Sequence, residues 1–331
     1  MNFNSIFNNK RALWTICFVV LIVIIAFFSG RYVNHPEAFC KEYSFLNSDT
    51  TCGFHVVIDK KGYKDLRSKL MGQIEDYKKQ GKVGLVSIWF RDLKYGPTLG
   101  INERVDFIPA SLLKLPMAIT YLDLSEDYSE VLNKTVKYSN PNPALPVQIF
   151  VPSKKVEKNG IYSIKELIEY MIVYSDNNAA QLLFEYLNTK YPEQNLLANT
   201  LRDLGVLGSG SDLYLSAVNT KEYASIFRLL YNSSYLSREN SEELLSMLAD
   251  SEFKEGLNAG VPENIIVSHK FGERVLDNGE RQLHDCGIVY YPENPYQLCI
   301  MTRGTDYDDL KSVIQEISKE IYTEFDSRKI E

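Results

Sequence analysis

Apolar residues recur at helical spacing near both ends of the globular part of the chain. The stretch YKDLRSKLMGQIEDYKKQGK carries Leu66, Leu70, Ile74 and Tyr77 on one face and stops at Gly81. This spacing predicts an amphipathic helix that ends at the glycine. A second helix is predicted in DYDDLKSVIQEISKEIYTEF, where one face carries Leu310, Val313, Ile314, Ile317, Ile321 and Phe325.

Runs of β-branched and aromatic residues predict strands in two parts of the chain. VGLVSIWFRDL is followed by a turn and the start of a second strand in KYGPTLGINE, and the pair predicts a hairpin. Further strands are predicted in NIIVSHKF, HDCGIVYY and YQLCIMTR, with the turn PENP between the last two. Strands therefore come from both ends of the globular region.

The middle of the chain is predicted to be helical. Ser163 and Glu166 form a capping box before IKELIEYMIVY, and a second helix, NNAAQLLFEYL, follows a short polar junction. Two more helices are predicted in TKEYASIFRLLYN and SRENSEELLSML. The economical packing is an α+β fold of the α/β sandwich type: a mainly antiparallel sheet covered by the N- and C-terminal helices, plus an inserted all-helical lobe. The cleft between the lobes is the expected site.

One segment near the N-terminus is not globular in character. No charged residue lies between Arg11 and Arg31, and LWTICFVVLIVIIAFF is close to the length that crosses a bilayer. We expect residues 13–30 to form a transmembrane helix, residues 1–12 a cytoplasmic N-terminus, residues 31–62 an extracytoplasmic stalk and residues 63–331 the domain. The alternative is a removed signal peptide, which lacks the small residues of a cleavage site here.

Composition excludes some classes of function. The formal net charge is -7 and there is no long basic run, so a nucleic-acid partner is not expected. With four His and neither an HExxH nor a CxxC motif, no metal or other cofactor is expected. The pairs Cys40 with Cys52 and Cys286 with Cys299 allow two disulfides, and small buried thiols remain an equal alternative for the second pair.

A serine and a lysine lie three positions apart in IPASLLKLPMA, where a helix is expected to begin. The spacing places Ser111 and Lys114 on one face, where a lysine made neutral by burial could take the proton of a nucleophilic serine. The alternative is a helix cap followed by a surface lysine. The same Ser-x-x-Lys pattern occurs at Ser251 and Lys254, which follow a helix end and lack this context.

Further polar residues could join this pair. Ser175 and Asn177 lie at a junction between two predicted helices, where they either enter a cleft or cap the next helix. Lys270 and Gly272 lie in SHKFGE on a predicted strand, where the glycine would let a substrate approach the strand edge closely. A solvated lysine at the strand end is the alternative.

The order Ser-x-x-Lys, Ser-Asp-Asn and Lys-x-Gly resembles the class A β-lactamases and their penicillin-binding relatives. The resemblance implies that Ser111 is the acylated nucleophile, that Lys114 takes its proton and that Ser175 relays a proton to the leaving nitrogen. It also implies that Lys270 holds the substrate carboxylate and that Asn177 binds the acyl side chain.

The resemblance further implies an oxyanion hole made by the backbone N–H groups of Ser111 and Glu273, with Gly272 in the substrate-binding strand. The expected function is a membrane-anchored, monomeric, extracytoplasmic serine hydrolase that forms an acyl-enzyme with β-lactams or peptide-like cell-wall amides. A non-catalytic binding or scaffold domain of the same fold is the alternative.

Two departures from the family pattern bear on this expectation. Phe271 occupies the position of the usual Thr or Ser, so a hydroxyl that helps to bind a carboxylate is missing. The loop GVLGSGSDLYLSAVNTKEY contains Asp212, with Ser216 four positions later, in place of the usual Glu and Asn. Glu166 belongs to a capping box and Glu222 to a helix. Deacylation is therefore expected to be slow.

Overall fold

The computed structural model describes residues 43–47, 63–139, 148–206 and 217–328, together with Trp14 and Phe18 in helical conformation. The chain divides into two compact units, Met1–Tyr43 with Ser48–His55, and Ser44–Asn47 with Val56–Glu331. Most of the described residues belong to the second unit. In the described part of the chain, no helix is both long and apolar enough to cross a membrane. The predicted transmembrane segment lies outside the described residues apart from Trp14 and Phe18, and so does the pair Cys40 and Cys52.

The described helices follow the predicted order along the chain. They are α1 (Lys64–Lys79), α2 (Lys114–Asp127), α3 (Ile164–Val173), α4 (Asn177–Lys190), α5 (Leu196–Asp203), α6 (Thr220–Tyr231), α7 (Arg238–Ala249) and α8 (Tyr307–Arg328). Short 3-10 turns lie at Ala110–Leu113, Ser129–Asn133 and Leu257–Gly260.

The central sheet has five antiparallel strands in the order β2-β1-β9-β8-β7. Its strands are β1 (Leu85–Asp92), β2 (Thr98–Ile101), β7 (Val267–Val275), β8 (Arg281–Val289) and β9 (Tyr296–Gly304). Two small antiparallel pairs complete the described strands: β3 (Asp106–Phe107) with β6 (Val218–Asn219), and β4 (Thr135–Lys137) with β5 (Ile161–Ser163). The order brings strands from both ends of the chain into one sheet and leaves β7 at an edge.

The sheet separates two layers of helices. On one face, apolar residues of α1 and α8 pack against alternate residues of the strands and form the main hydrophobic core. In β1, for example, Val86, Ile88 and Phe90 are fully buried in this core. Helices α6 and α7 pack against the sheet from the helical region inserted between β2 and β7. The predicted α+β fold, with terminal helices covering an antiparallel sheet, is confirmed.

Local signals in the sequence determine the junction between α3 and α4. The Ser163 and Glu166 side chains form the predicted capping box at the start of α3. The Asp176 side chain caps α4 by accepting from Asn178 N (2.9 Å) and also accepts from Val156 N (2.7 Å). With the capping done by Asp176, the neighbouring Ser175 and Asn177 side chains are available for other contacts.

Phe271 points into the hydrophobic core. Its ring is 4% exposed, stacks on Phe253 at 4.1 Å and meets Phe150 edge-on at 5.8 Å between centroids. Successive side chains in a strand point to opposite faces, so Lys270 faces the helical region while Phe271 faces the core. The sequence alone left this direction open.

Cys286 and Cys299 are joined by a disulfide. They are direct partners in the register of β8 and β9, so their side chains lie side by side on the same face of the sheet. Of the two alternatives that the sequence allowed for this pair, the structure contains the bridge.

Residues 44–47, which fall within the predicted stalk, bind the surface of the domain. The Glu242 carboxylate accepts from Ser44 N (2.8 Å) and Phe45 N (2.9 Å). Asn47 N donates to Tyr231 O (2.8 Å), and Leu46 is buried. This short part of the predicted stalk is therefore an ordered component of the domain.

Replacing Phe271 by alanine should lower the free energy of unfolding by about 3–5 kcal/mol, because it leaves a cavity where the ring stacks on Phe253. Chemical denaturation measures the change. Val275→Ala, at the exposed end of the same strand, is the control and should change stability by less than about 0.5 kcal/mol. A Phe271→Ala protein as stable as the wild type would contradict the placement of this ring in the core.

Candidate active site

Ser111 lies on a 3-10 turn that runs directly into a helix. The turn is Ala110–Leu113, and α2 begins at Lys114. A 3-10 turn has three residues per turn, so side chains three positions apart lie above one another. Ser111 and Lys114 therefore share a face, as predicted, although through a 3-10 turn instead of the first turn of an α-helix. Ala110 has a left-handed backbone (φ 51°), which is costly for a residue other than glycine.

Tertiary contacts hold this turn against the sheet. Leu112 is fully buried, and its carbonyl accepts a hydrogen bond from Tyr223 Oη (2.9 Å). A Cβ atom added to Gly272 would lie 2.9 Å from Pro109 O and 3.2 Å from Leu112 N. Gly272 therefore lets β7 approach the turn that carries Ser111, and the close contact is with the protein's own backbone.

Lys114 is buried beside the junction between α3 and α4. Its Nζ donates to Ser175 Oγ (3.1 Å), to Asn177 Oδ1 (2.8 Å) and to the Ser175 carbonyl. Burial, reinforced by the charge of Lys270, lowers the pKa of Lys114 well below its usual value. The Lys114 amine can therefore lose its proton at a pH where exposed lysines remain charged.

Lys270 approaches the same hydroxyl from the sheet. Its Nζ donates to Ser175 Oγ (2.9 Å) and to the Phe271 carbonyl (3.1 Å). Burial lowers the pKa of Lys270 to about 7, although the nearby carboxylates of Asp285 and Glu273 oppose this change. The Ser175 hydroxyl thus lies between two buried amines and can pass a proton from one side to the other.

The backbone of Ser175 is held in an unusual conformation. Ser175 has a positive φ of 55°, which turns its carbonyl and its hydroxyl toward Lys114. Gln148 Nε2 donates to the same carbonyl (3.0 Å), and Asn177 N donates weakly to Gln148 Oε1 (3.4 Å). Gln148 is a site residue that no motif in the sequence indicated, because it lies far from Ser175 along the chain.

The outer edge of β7 presents the backbone N–H of Glu273. Tyr290 N donates to Ile266 O, so Ile266 and Tyr290 form a hydrogen-bonded pair between the two strands. In the register that continues from this pair, Glu273 is opposite Leu283. Hydrogen-bonded and non-hydrogen-bonded pairs alternate along an antiparallel ladder, so the pair formed by Glu273 and Leu283 is a non-hydrogen-bonded one. The Glu273 N–H therefore points away from β8, toward the free edge, as an oxyanion donor at this position requires.

A cavity of about 480 Å³ brings most of the predicted residues together. Four of them line it: Ser111, Lys114, Asn177 and Glu273. Ser175 and Lys270 do not line the cavity. Ser175 contacts the lining residue Lys114, and Lys270 contacts Ser175. Much of the remaining lining is apolar. The other lining residues are Ala110, Leu113, Met117, Ile149, Ala180, Gln181, Arg274, Val275 and Tyr307.

The side chain of Glu273 has a role that sequence reasoning missed. Its carboxylate accepts from Ile149 N (2.8 Å) and Phe150 N (3.2 Å). Burial raises the pKa of Glu273, while these hydrogen bonds and the two lysines act in the opposite direction. The sequence signal was its position beside Gly272, but only the backbone N–H of Glu273 had been expected to act in the site.

The chain is similar to known proteins over most of its length. The model of a family described as "Beta-lactamase enzyme family" matches residues 69–325. A β-lactamase of Bacteroides uniformis is 25% identical over 261 residues, which cover 74% of this chain and 86% of that protein. The extended-spectrum β-lactamase PER-1 of Pseudomonas aeruginosa is 24% identical over 269 residues, which cover 76% of this chain and 85% of that protein.

Solved structures share the fold at lower sequence identity. The structure of PBP-A has a TM-score of 0.68 and 17% identity, with 82% of this chain and 100% of that chain covered. The extended-spectrum β-lactamase TLA-3 has a TM-score of 0.65 and 20% identity, with 78% of this chain and 99% of that chain covered.

The rate at which Ser111 is acylated should fall as the pH is lowered through the pKa of Lys114, because only the unprotonated amine can take a proton. Lys270→Met removes a neighbouring positive charge, so the pKa of Lys114 should rise and the acid limb of the profile should move upward by about one pH unit. Stopped-flow acylation by a chromogenic reagent, measured between about pH 5 and pH 10, gives the profile.

The control for this experiment is Lys254→Met, which removes an exposed lysine from the other Ser-x-x-Lys sequence. It should leave the acid limb in place. An acid limb that stays at the wild-type pH in Lys270→Met would show that the charge of Lys270 does not determine the pKa of Lys114.

Proposed function

The chain belongs to the β-lactamase enzyme family, whose members are serine hydrolases, and on that premise we propose that Ser111 forms an acyl-enzyme with β-lactams or with peptide-like amides of the cell wall. The observation that carries this proposal is the burial of Lys114 one 3-10 turn from Ser111. Its lowered pKa and its hydrogen bonds to Ser175 and Asn177 suit a base that takes the serine proton.

The proposed acylation uses the groups around this base in sequence. Ser111 Oγ attacks the substrate carbonyl carbon while its proton passes to Lys114 Nζ, and the Glu273 N–H stabilises the negative charge on the carbonyl oxygen. The carbon–nitrogen bond then breaks, and the leaving nitrogen receives a proton through Ser175. The contacts of Ser175 Oγ with both lysines support this relay.

We propose that the acyl-enzyme is hydrolysed slowly. Glu166 is engaged with Ser163 in a capping box, and Glu222 lies in the first turn of α6. The loop that contains Asp212 lies outside the described residues. Among the described residues that line the cavity, Glu273 is the acidic one, but it follows Gly272 and so projects from the face of β7 opposite the Ser111 turn.

β-Lactams are proposed substrates because the relatives are β-lactamases and because a PBP-A variant has been solved as an acyl-enzyme complex with penicillin G. Slow hydrolysis of the acyl-enzyme would leave the β-lactam bound to Ser111, as it remains bound in a D,D-peptidase. The apolar lining of the cavity suits an acyl group with an apolar side chain.

We further propose that the enzyme acts as a monomer outside the cytoplasm, attached to the membrane by residues 13–30. The uncharged apolar run between Arg11 and Arg31 supports this location. The hydrogen bonds from Ser44 N and Phe45 N to Glu242 attach part of the predicted stalk to the domain.

Fluorescent penicillin should label the wild-type protein and spare Ser111→Ala, because the label requires the serine ester. Intact-protein mass spectrometry should then show an adduct that persists for minutes or longer, since the usual deacylation base is missing. Ser251→Ala, in the other Ser-x-x-Lys sequence, is the matched control and should label like the wild type. If neither penicillin nor an activated ester modifies Ser111 at high concentration, the chain is a binding domain and the proposed activity is wrong.

Full-length protein should retain residues 1–30 and sediment with membranes after an alkaline carbonate wash. Val20→Lys with Ile24→Lys should release it, because each charge at the centre of a span costs about 2.5–3.5 kcal/mol. Val20→Leu with Ile24→Leu is the control and should remain bound. A mature protein whose mass lacks the N-terminal segment would instead indicate a cleaved signal peptide.

A further inference from the structure

Arg274 is a half-buried cation on β7 that lines the cavity. No ion pair joins its side chain to another residue that the structure describes. Lys114, the other basic residue of the described lining, is engaged with Ser175 and Asn177. A guanidinium group presents five N–H donors in a planar fork that fits the two oxygens of a carboxylate. Arg274 can therefore bind an anionic group of a substrate.

The strand register places Arg274 on the face of β7 that meets the Ser111 turn. A Cβ atom added to Gly272 would lie 2.9 Å from the backbone that enters this turn. Alternate residues of a strand share a face, so Arg274 projects from the same face about 7 Å further along. Its partner in the register, Gln282, accepts from Ile108 N (3.2 Å). This row of the sheet therefore lies beside the residues that lead into the turn.

The neighbouring acid, Glu273, does not neutralise Arg274. The two side chains project from opposite faces of the strand. The Glu273 carboxylate accepts from Ile149 N (2.8 Å) and Phe150 N (3.2 Å), and none of the ion pairs between described residues joins it to Arg274. The positive charge of Arg274 thus remains available to a substrate.

The cavity follows the free edge of β7. Three consecutive residues of this strand line it: Glu273, Arg274 and Val275. Consecutive side chains point to opposite faces, so a cavity that all three line lies at the edge of the strand. β7 is an edge strand of the sheet, and the Glu273 N–H points to this edge. The order of residues along β7 therefore determines which part of a substrate meets Arg274.

The acyl group of a substrate extends toward Arg274. Lys270 marks the other end, because its Nζ donates to Ser175 Oγ (2.9 Å), the proposed proton donor to the leaving nitrogen. The Glu273 N–H marks the position of the carbonyl oxygen between the two ends. Arg274 lies beyond Glu273, about 13 Å from Lys270 along the strand. With the leaving nitrogen directed toward Ser175, the acyl group runs along the edge in the opposite direction.

We propose that Arg274 is a specificity-determining residue that favours substrates with a carboxylate or another anion on the acyl group. This proposal rests on the proposed acyl-enzyme at Ser111 and identifies the substrate class of that site as β-lactams or peptide-like amides with an anionic acyl part. This anion is distinct from the carboxylate that the resemblance assigns to Lys270. Ile149 and Val275 line the same cavity, so the acyl group combines an apolar part with its charge.

The test uses three penicillins that share one bicyclic nucleus and one phenylacetyl group. Benzylpenicillin has no charge on the acyl group, carbenicillin carries a carboxylate on its α-carbon, and sulbenicillin carries a sulfonate there. In each reaction Ser111 Oγ forms an ester with the β-lactam carbonyl carbon, the carbon–nitrogen bond breaks and the ring nitrogen receives a proton. Competition with a fluorescent penicillin gives the acylation rate constant of each compound.

Arg274→Gln should slow acylation by carbenicillin and sulbenicillin about tenfold more than acylation by benzylpenicillin, because it removes a charged hydrogen-bond donor. Comparing variants in this way cancels the different intrinsic reactivities of the three compounds. Arg274→Lys should keep part of the preference, since it retains the charge and loses the planar fork. The preference of the wild type should weaken as ionic strength rises, because salt screens the attraction.

The matched control is Arg303→Gln. Arg303 is half-buried, lies on β9 opposite Gln282 in the same row of the sheet as Arg274, and does not line the cavity. Its loss changes the net charge equally, and the preference for the anionic penicillins should stay at the wild-type value.

Three results would overturn this inference while acylation of Ser111 still stood. One is an equal loss of rate for all three penicillins in Arg274→Gln, which would show that Arg274 binds the shared nucleus or supports the fold. Another is wild-type selectivity in Arg274→Gln. The third is an equal loss of selectivity in Arg303→Gln, which would indicate an effect of net charge. If no penicillin modifies Ser111 in the wild type, the proposed function fails and this inference fails with it.

Discussion

Two lysines are buried next to each other, and their burial governs the chemistry of the site. Lys114 and Lys270 are 5% and 0% exposed, and two adjacent ammonium groups removed from water cannot both remain charged at low cost. The pKa values of both amines are lowered mainly by this burial. Ser175 Oγ lies between them and gives each amine a polar partner. The same arrangement that avoids an unpaired buried charge gives the Lys114 amine a lowered pKa, so that it can be unprotonated at the cavity that it shares with Ser111.

This constraint is supported by backbone conformations that would be costly in isolation. Ala110 and Ser175 both have positive φ values, one in the turn that carries the serine and the other where the Lys114 amine finds its acceptors. Such conformations persist when surrounding contacts determine them. Gly272 supplies one such contact, because the absence of a Cβ lets β7 pack against Pro109 and Leu112. The sheet and the helical region are thereby held together at the point where their polar side chains meet.

Much of the fold could be predicted from local patterns. The capping box at Ser163, the apolar faces of α1 and α8 and the β-rich runs each depend on near neighbours, and the structure confirms them. The predictions for Ser111, Lys114, Ser175 and Lys270 depended on the resemblance of three motifs to a known family. The structure brings Lys114, Ser175 and Lys270 into contact and places Ser111 at the same cavity.

The order of helices and strands and the class of fold could be predicted from the sequence, because they follow from periodicity and capping along the chain, and the candidate residues from the resemblance of its motifs to a known family. Three outcomes came only from the folded structure: Phe271 enters the core, Cys286 and Cys299 are joined, and Glu273 lines the cavity while Lys270 does not. Each of these outcomes depends on strand register and on which face of the sheet a side chain takes. Those choices are made by contacts between residues far apart in the chain, which no local pattern contains.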